Sequence, residues 1–210
     1  MSKRRRRVQD KWRMKEWYNI NSPAYFGGKM IASVPAGSED SMIGRTIEVT
    51  LYDITEDFSK QHIKLHFQVV SLKQKKAETI FKGHEYTRDY LRSLVRRGST
   101  RIDGIFNLTT KDGYGLRISV VAFSITRIRK TQILSIKNTI KRVLNEKGEI
   151  LNFDQFVQEA VLGKIASDIY NEAKKIIPVR HVGIRKSKVI SFPTKETTET
   201  TTKVEVSANT

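Results

Sequence analysis

The chain has 210 residues, with 39 Lys and Arg against 22 Asp and Glu, which gives a formal net charge of +17. Hydrophobic residues make up 38% of the chain, enough for one domain with a buried core, so a wholly disordered basic protein is excluded. A positive charge of this size opposes compaction unless a polyanion neutralises it, and nucleic acid does so most completely. The absence of cysteine excludes disulfides and cysteine-ligated metal sites.

Anionic membrane is the competing polyanion. No segment reaches the roughly 18 apolar residues of a spanning helix, and no apolar run follows the basic start as it would in a signal peptide. We therefore expect a cytoplasmic protein without a membrane partner.

Residues 1–30 combine basic and aromatic side chains and are predicted to form an extended basic arm. Guanidinium groups pair with phosphate and stack on bases, and aromatic rings stack on unpaired bases, so this composition suits RNA better than duplex DNA. The candidate RNA-binding residues of the arm are Lys3, Arg4, Arg5, Arg6, Arg7, Lys11, Trp12, Arg13, Lys15 and Trp17. The alternative is a solvated charge run whose aromatic residues pack on the domain, and we favour this slightly for Trp17 because Tyr18, Tyr25 and Phe26 are near it.

The folded domain is predicted to span residues 31–192, and its strands come first. Residues 45–51 and 62–72 alternate between apolar and polar side chains, as half-buried strands of a hairpin do. A shorter strand is predicted at 79–81. Residues 101–109 and 116–128 form a second predicted hairpin around Asp112-Gly113, at the centre of the sheet.

Three helices are predicted from apolar spacings of three and four. In the first, residues 87–97, Tyr90, Leu91, Leu94 and Val95 lie on one side, and Arg88, Arg92 and Arg96 form a row on the other. The row indicates either a bound anion or a solvated face. The other helices are predicted at 133–148 and 152–178. Residues 179–192 then form a basic edge strand.

These elements predict an α+β fold: a mainly antiparallel sheet, open or barrel-like, packed with about three helices. Residues 193–210 are rich in Thr and Glu and are predicted to be a disordered tail. The domain carries further candidate RNA-binding residues on the first helix, around 127–130 and on the last strand. They are Arg88, Arg92, Arg96, Arg97, Arg127, Arg129, Lys130, Arg180, Arg185, Lys186 and Lys188.

One acidic group offers an enzymatic alternative. Asp53, Glu56 and Asp57 can in principle hold Mg²⁺ for RNA cleavage, but they share one predicted turn, where carboxylates commonly cap the backbone. His62 and His66 lie too far apart on a strand to hold a metal without a third ligand. We expect no cofactor, no metal, no small-molecule substrate and no enzymatic activity.

Several segments in order resemble one known family. They are VQDKWRMKEWY (8–18), SPAYF (22–26), GRTIEVTLYDIT (44–55), FKGHEYTRDYLRSLVRR (81–97), TTKDGYGLRI (109–118) and IIPVRHVGIRKSKV (176–189). Together they are similar to the archaeal and eukaryotic small-subunit ribosomal protein family S-three-a-e, also called eukaryotic-type S-one, from about Val8 to Phe192. The length and the absence of a long C-terminal extension are of the archaeal type.

This resemblance implies a structural protein that binds small-subunit ribosomal RNA on the platform near the messenger RNA exit, beside other ribosomal proteins. Messenger RNA near the exit is a further candidate partner. The family has no catalytic role, so the resemblance favours RNA binding over the nuclease hypothesis.

Overall fold

A computed structural model of the chain describes residues 12–193. In this part of the chain, eight strands form one sheet: β1 (Glu16–Asn21), β2 (Met30–Ala36), β3 (Thr46–Thr50), β4 (Ile63–Lys73), β5 (Lys76–Tyr86), β6 (Arg101–Thr109), β7 (Gly115–Ser124) and β8 (Val179–Ser191). The helices of the same part are α1 (Leu51–Thr55), α2 (Arg88–Leu94), α3 (Lys130–Ile150), α4 (Phe153–Leu162) and α5 (Lys164–Lys174).

The sheet is mostly antiparallel, and its main path runs β3-β4-β5-β8-β7-β6. The start of β5 pairs in parallel with β1, which forms an antiparallel hairpin with β2. The end of β5 pairs with β8. No pairing within residues 12–193 joins the two ends of the path. The fold is therefore α+β with an open sheet, and the barrel-like alternative is not formed.

Both predicted hairpins are confirmed, since β3 pairs with β4 and β6 with β7. Their predicted positions in the sheet are wrong: β6 ends the path instead of lying at the centre, and β8, predicted as an edge strand, lies between β5 and β7. The strand predicted at 79–81 is present but longer than expected, because β5 covers Lys76–Tyr86 and pairs with β4 along most of its length. The β4–β5 turn consists of Gln74 and Lys75, with φ values of 48° and 64°. Positive φ at both central residues is typical of a type I′ turn, which usually contains Asn or Gly. This turn lacks both residue types, so the sequence did not reveal the hairpin.

Part of the segment predicted as an arm lies in the sheet. In β1, Tyr18 and Ile20 are buried in a small core with Met42, Val69 and other residues. Residues 1–11 and 194–210 lie outside the described part of the chain, so the division into arm, domain and tail stays a prediction.

The main core lies between the sheet and helices α3, α4 and α5. The apolar stripes predicted for these helices are buried, including Ile136 and Ile140 of α3, Phe156 of α4 and Ile169 of α5. The single helix predicted at 152–178 is wrong, because Gly163 adopts a φ of 89° and ends α4 in the left-handed conformation that favours glycine. This break and the short helix α1 raise the number of helices above the three that we predicted. Within residues 12–193, no helix is long and apolar enough to cross a membrane.

Candidate nucleic-acid interface

A basic groove lies where α2 meets the end of β5, the start of β6 and the middle of β8. Its volume is about 410 Å³. Glu85 is the one carboxylate among its lining residues, and five of the others are basic: Arg88, Arg92, Arg101, Arg185 and Lys186. Four of these five are residues that we predicted from the sequence, and the fold brings them together from α2 and β8.

An irregularity in β8 places two consecutive basic residues at this groove. Ser119 of β7 pairs with Lys186, whereas Val120 pairs with Ile184, so Arg185 is an extra residue on β8. Such a β-bulge changes the direction of a side chain. Ile184 is buried below the sheet surface, while both Arg185 and Lys186 line the groove.

Carboxylates neutralise only part of the charge in the groove. Lys186 Nζ lies 2.8 Å from Glu85 Oε2, and this hydrogen bond, opposed in part by burial, lowers the pKa of Glu85. Arg101 Nε lies 2.9 Å from Asp103 Oδ2. Arg88 and Arg92 are exposed, and neither forms an ion pair with a carboxylate of residues 12–193. These two guanidinium groups are therefore available to an external anion.

The predicted row of three arginines is shorter than expected. Helix α2 ends at Leu94, and Val95 follows with extended backbone angles. Like charges at a spacing of four residues destabilise a helix, which disfavours its extension through Arg96. Arg96 and Arg97 are exposed in the following turn and do not line the groove.

The predicted basic residues at 127–130 lie beside the start of β6. The Ile128 N–H donates to the Thr100 hydroxyl over 3.3 Å, which fixes this segment next to Arg101. Arg127, Arg129 and Lys130 are exposed at the start of α3, whose first turn contains no acidic residue. Cations at a helix N-terminus are unfavourable by about 0.3–1 kcal/mol each at the surface, and a bound phosphate removes this penalty.

Two residues of β8 predicted to bind RNA lie elsewhere. Lys188 is exposed on the same face as Lys186 and continues the basic strip beyond the groove. Arg180 is half-buried and lines a different cavity on the other side of α2.

The two tryptophans are exposed, Trp12 at 61% and Trp17 at 59%. Lys15 Nζ lies 4.3 Å from the centre of a Trp12 ring, so Lys15 and Trp12 form one basic-aromatic unit. The expectation that Trp17 packs on the domain is wrong, because its neighbour Tyr18 points into the core and the alternation of β1 turns Trp17 outward.

The rest of the expected aromatic cluster does pack on the core. The ring of Phe26 lies 5.7 Å from that of Phe67, and the Tyr25 hydroxyl accepts a hydrogen bond from Phe81 N–H. Arg13 is exposed beside Trp12, whereas six of the predicted residues lie outside the described part of the chain: Lys3, Arg4, Arg5, Arg6, Arg7 and Lys11.

Comparison with known proteins identifies the family. The model of the ribosomal S3Ae family matches residues 3–193. The chain belongs to this family.

Three relatives are each called small ribosomal subunit protein eS1. That of Desulfurococcus amylolyticus is 46% identical over 93% of this chain and 92% of its own length. That of Staphylothermus marinus is 42% identical over 93% of the chain and 92% of its own length. That of Sulfolobus acidocaldarius is 43% identical over 89% of the chain and 95% of its own length. These names are those of ribosomal proteins, in agreement with the prediction that the chain is not an enzyme.

The acidic residues of the nuclease hypothesis each have a structural partner in this S3Ae chain. Asp53 Oδ2 accepts hydrogen bonds from the Thr50 N–H and hydroxyl, at 3.0 and 2.7 Å, and so caps α1. Glu56 pairs with Lys29 at 3.1 Å. Asp57 accepts from the Ser59 N–H at 3.0 Å, which is the main reason that its pKa is lowered. Within residues 12–193, no group of three potential metal ligands is found.

Arg101 is the basic residue of the groove that sequence reasoning missed. It shares the outer face of β6 with Asp103 and Ile105, so its exposure was predictable. Its place in the groove was not, because it depends on β8 lying between β5 and β7.

Proposed function

We propose that the chain is a structural protein of the small ribosomal subunit, and that it binds the ribosomal RNA of this subunit through the basic groove. The observation that carries the proposal is the convergence of five basic side chains on one groove, with Arg88 and Arg92 unpaired by any carboxylate of residues 12–193. Membership of a ribosomal protein family supports RNA as the polyanion.

The arrangement suits the phosphate backbone of RNA. Arg88 and Arg92 lie one helical turn apart on α2, so their planar guanidinium groups can each bind a phosphate through two parallel hydrogen bonds. Arg185 and Lys186 face them from β8. Phosphate contacts of this kind fix the position of an RNA strand without reading its sequence, as a structural protein requires.

The exposed aromatic residues supply a second kind of contact. Trp12 and Trp17 can stack on unpaired bases, which adds binding free energy that salt does not screen. Arg13, Lys15, Arg96, Arg97, Arg127, Arg129, Lys130 and Lys188 are exposed and extend the proposed basic surface. The basic residues before Trp12 belong to the proposed arm and are assigned the same role on charge alone.

Family resemblance supports the proposed location, which is the platform of the small subunit near the messenger RNA exit. There the chain has neighbouring ribosomal proteins as partners and messenger RNA as a further candidate, and it functions in the cytoplasm during translation.

The test is binding of small-subunit ribosomal RNA by Arg88→Gln/Arg92→Gln, measured against salt concentration. The matched control is Lys76→Gln/Lys111→Gln, which removes the same charge. Both control lysines are exposed, and they lie at the ends of β5 and β6 opposite to the groove.

The slope of log K against log salt falls by up to about 0.7 to 0.9 for each phosphate that the protein no longer neutralises. We expect this change in the groove variant only. Equal slopes for the two variants would show that net charge, and not the groove, binds the RNA.

A further inference from the structure

A second cavity of about 350 Å³ lies on the other side of α2 from the basic groove. Its walls come from α2, the residues before β4, the junction of α4 and α5, and the start of β8. Five of its lining residues have rings: His62, Tyr86, Tyr90, Tyr170 and His181. The rings of His62 and Tyr90 are stacked, with centroids 3.8 Å apart and an angle of 27° between their planes. The volume is at the lower end of the roughly 300 to 1,000 Å³ of pockets that hold small ligands.

The polar groups of this cavity favour an anion. Its lining residues include no carboxylate and two cations, Arg180 and Lys60, of which Lys60 is paired with Asp57 Oδ2 at 3.4 Å. Arg180 Nη2 and His181 Nε2 are buried and have no hydrogen-bond partner among residues 12–193. Buried polar atoms without partners are rare in folded proteins because they lose their hydrogen bonds to water, so each of them needs an explanation.

The first turn of α5 adds donors at the same place. Gly163 precedes this helix of 11 residues, lines the cavity and provides no side-chain cap. The free N–H groups of a helix N-terminus attract negative charge. Burial lowers the pKa values of His62 and His181, so both rings are neutral at neutral pH and can stack or form hydrogen bonds as uncharged groups.

From this combination we propose that the cavity holds one nucleotide of the bound RNA strand. The base packs against the rings of Tyr90 and His62, and the phosphate lies near Arg180 and the start of α5. The inference rests on the proposed binding of RNA. Tyr86 lines both the groove and the cavity, and β8 supplies Arg185 to one and Arg180 to the other, so a strand in the groove can place an unpaired nucleotide in the cavity.

Ligand-observed saturation-transfer NMR on the full chain tests the cavity with three probes: adenosine 5′-monophosphate (AMP), adenosine and inorganic phosphate. We expect transfer to the base protons of AMP, and binding of adenosine about tenfold weaker because the charged hydrogen bonds of the phosphate are absent. Arg180→Gln and Tyr90→Leu should each weaken AMP binding about tenfold, through removal of the cation and of stacking respectively. Tyr90→Phe keeps the ring and should bind AMP as the wild type does.

The double variant Lys76→Gln/Lys111→Gln, whose lysines line neither the groove nor the cavity, is the control and should leave AMP binding unchanged. Thermal unfolding of each variant shows whether it is folded. If Tyr90→Leu is unfolded, AMP binding by Arg180→Gln and Tyr90→Phe tests the proposal instead. Phosphate that displaces AMP, together with no transfer to the base protons, would identify an adventitious ion only and overturn the proposal. Unchanged AMP binding by Arg180→Gln would overturn it as well.

Binding of small-subunit ribosomal RNA by the same variants separates the two proposals. If the cavity holds a nucleotide of the strand, Arg180→Gln weakens RNA binding even though Arg88 and Arg92 are intact. If the wild type, Arg180→Gln and Tyr90→Leu all bind this RNA equally well, the proposal that the cavity holds a nucleotide is refuted and the proposed function stands. A wild-type protein that binds AMP but not this RNA refutes the proposed function, and with it the assignment to an RNA strand.

Discussion

His84 joins β5 to β8 beneath the basic groove, and its burial makes the stability of the fold depend on pH. The residue is 1% exposed. Nε2 lies 3.2 Å from the Ile184 carbonyl oxygen, and Nδ1 lies 2.6 Å from the Ser187 hydroxyl. Because a carbonyl only accepts, Nε2 carries the proton and Nδ1 accepts from Ser187, which fits a neutral ring. Burial accordingly lowers the pKa of His84 from 6.5 to about 4.

Neutral His84 makes its full contribution to the unfolding free energy above pH 6.5. This contribution is lost as the pH falls from 6.5 toward 4, because the histidine takes up a proton in the unfolded chain before it does so in the folded one. Between pH 7.5 and 5 this linkage amounts to roughly 2 kcal/mol of unfolding free energy. His84→Gln cannot titrate and should lose about 2 kcal/mol less than the wild type over this interval. The comparison with a variant is needed because burial also lowers the pKa values of His62 and His181.

The assay is urea unfolding followed by circular dichroism at pH 7.5 and 5. If the wild type and His84→Gln lose the same free energy within about 0.5 kcal/mol, then His84 is not held neutral by the fold.

Three further predictions concern stability and RNA binding. Gly83→Ala should destabilise the fold by about 1–3 kcal/mol in urea unfolding, because the new methyl group would overlap a backbone carbonyl of β8; Gly37→Ala, with open space around it, should not. Trp17→Ala should weaken binding of small-subunit ribosomal RNA by about 1–3 kcal/mol at unchanged melting temperature, and a lower melting temperature would instead indicate packing on the domain. Asp53→Ala should lower the unfolding free energy by about 1 kcal/mol through removal of the α1 cap, whereas Asp40→Ala should not. If the wild type cleaved RNA in the presence of Mg²⁺ and Asp53→Ala did not, the nuclease hypothesis would be revived.

Local pattern predicted the parts of the fold that depend on local contacts. Alternation identified β3, β4, β6 and β7, and spacings of three and four identified the buried stripe of α3, including Ile136 and Ile140. The elements that were missed depend on tertiary contacts or single backbone angles. Strand β1 is short and mixes Trp17 and Tyr18 with polar residues, so only its pairing with β2 and β5 defines it.

The candidate site shows the same division. Arg185 and Lys186 were predicted as RNA-binding residues from charge, and Arg88 and Arg92 from charge and helical spacing. Their common groove requires β8 to pair with β5 across about a hundred residues of sequence. A contact between residues so far apart in the chain produces no periodic pattern in the sequence around either of them. The aromatic cavity around Tyr90 was missed for the same reason.

Chemical modification of arginine by phenylglyoxal tests most directly whether the groove contacts RNA. The protein is modified free and in complex with small-subunit ribosomal RNA, and each arginine is quantified by mass spectrometry. We predict that Arg88 and Arg92 react in the free protein, where both are exposed, and are protected in the complex, while exposed Arg45, at the start of β3, reacts equally in both. Equal reactivity of Arg88 and Arg92 in the free and the bound protein would contradict RNA binding through this groove.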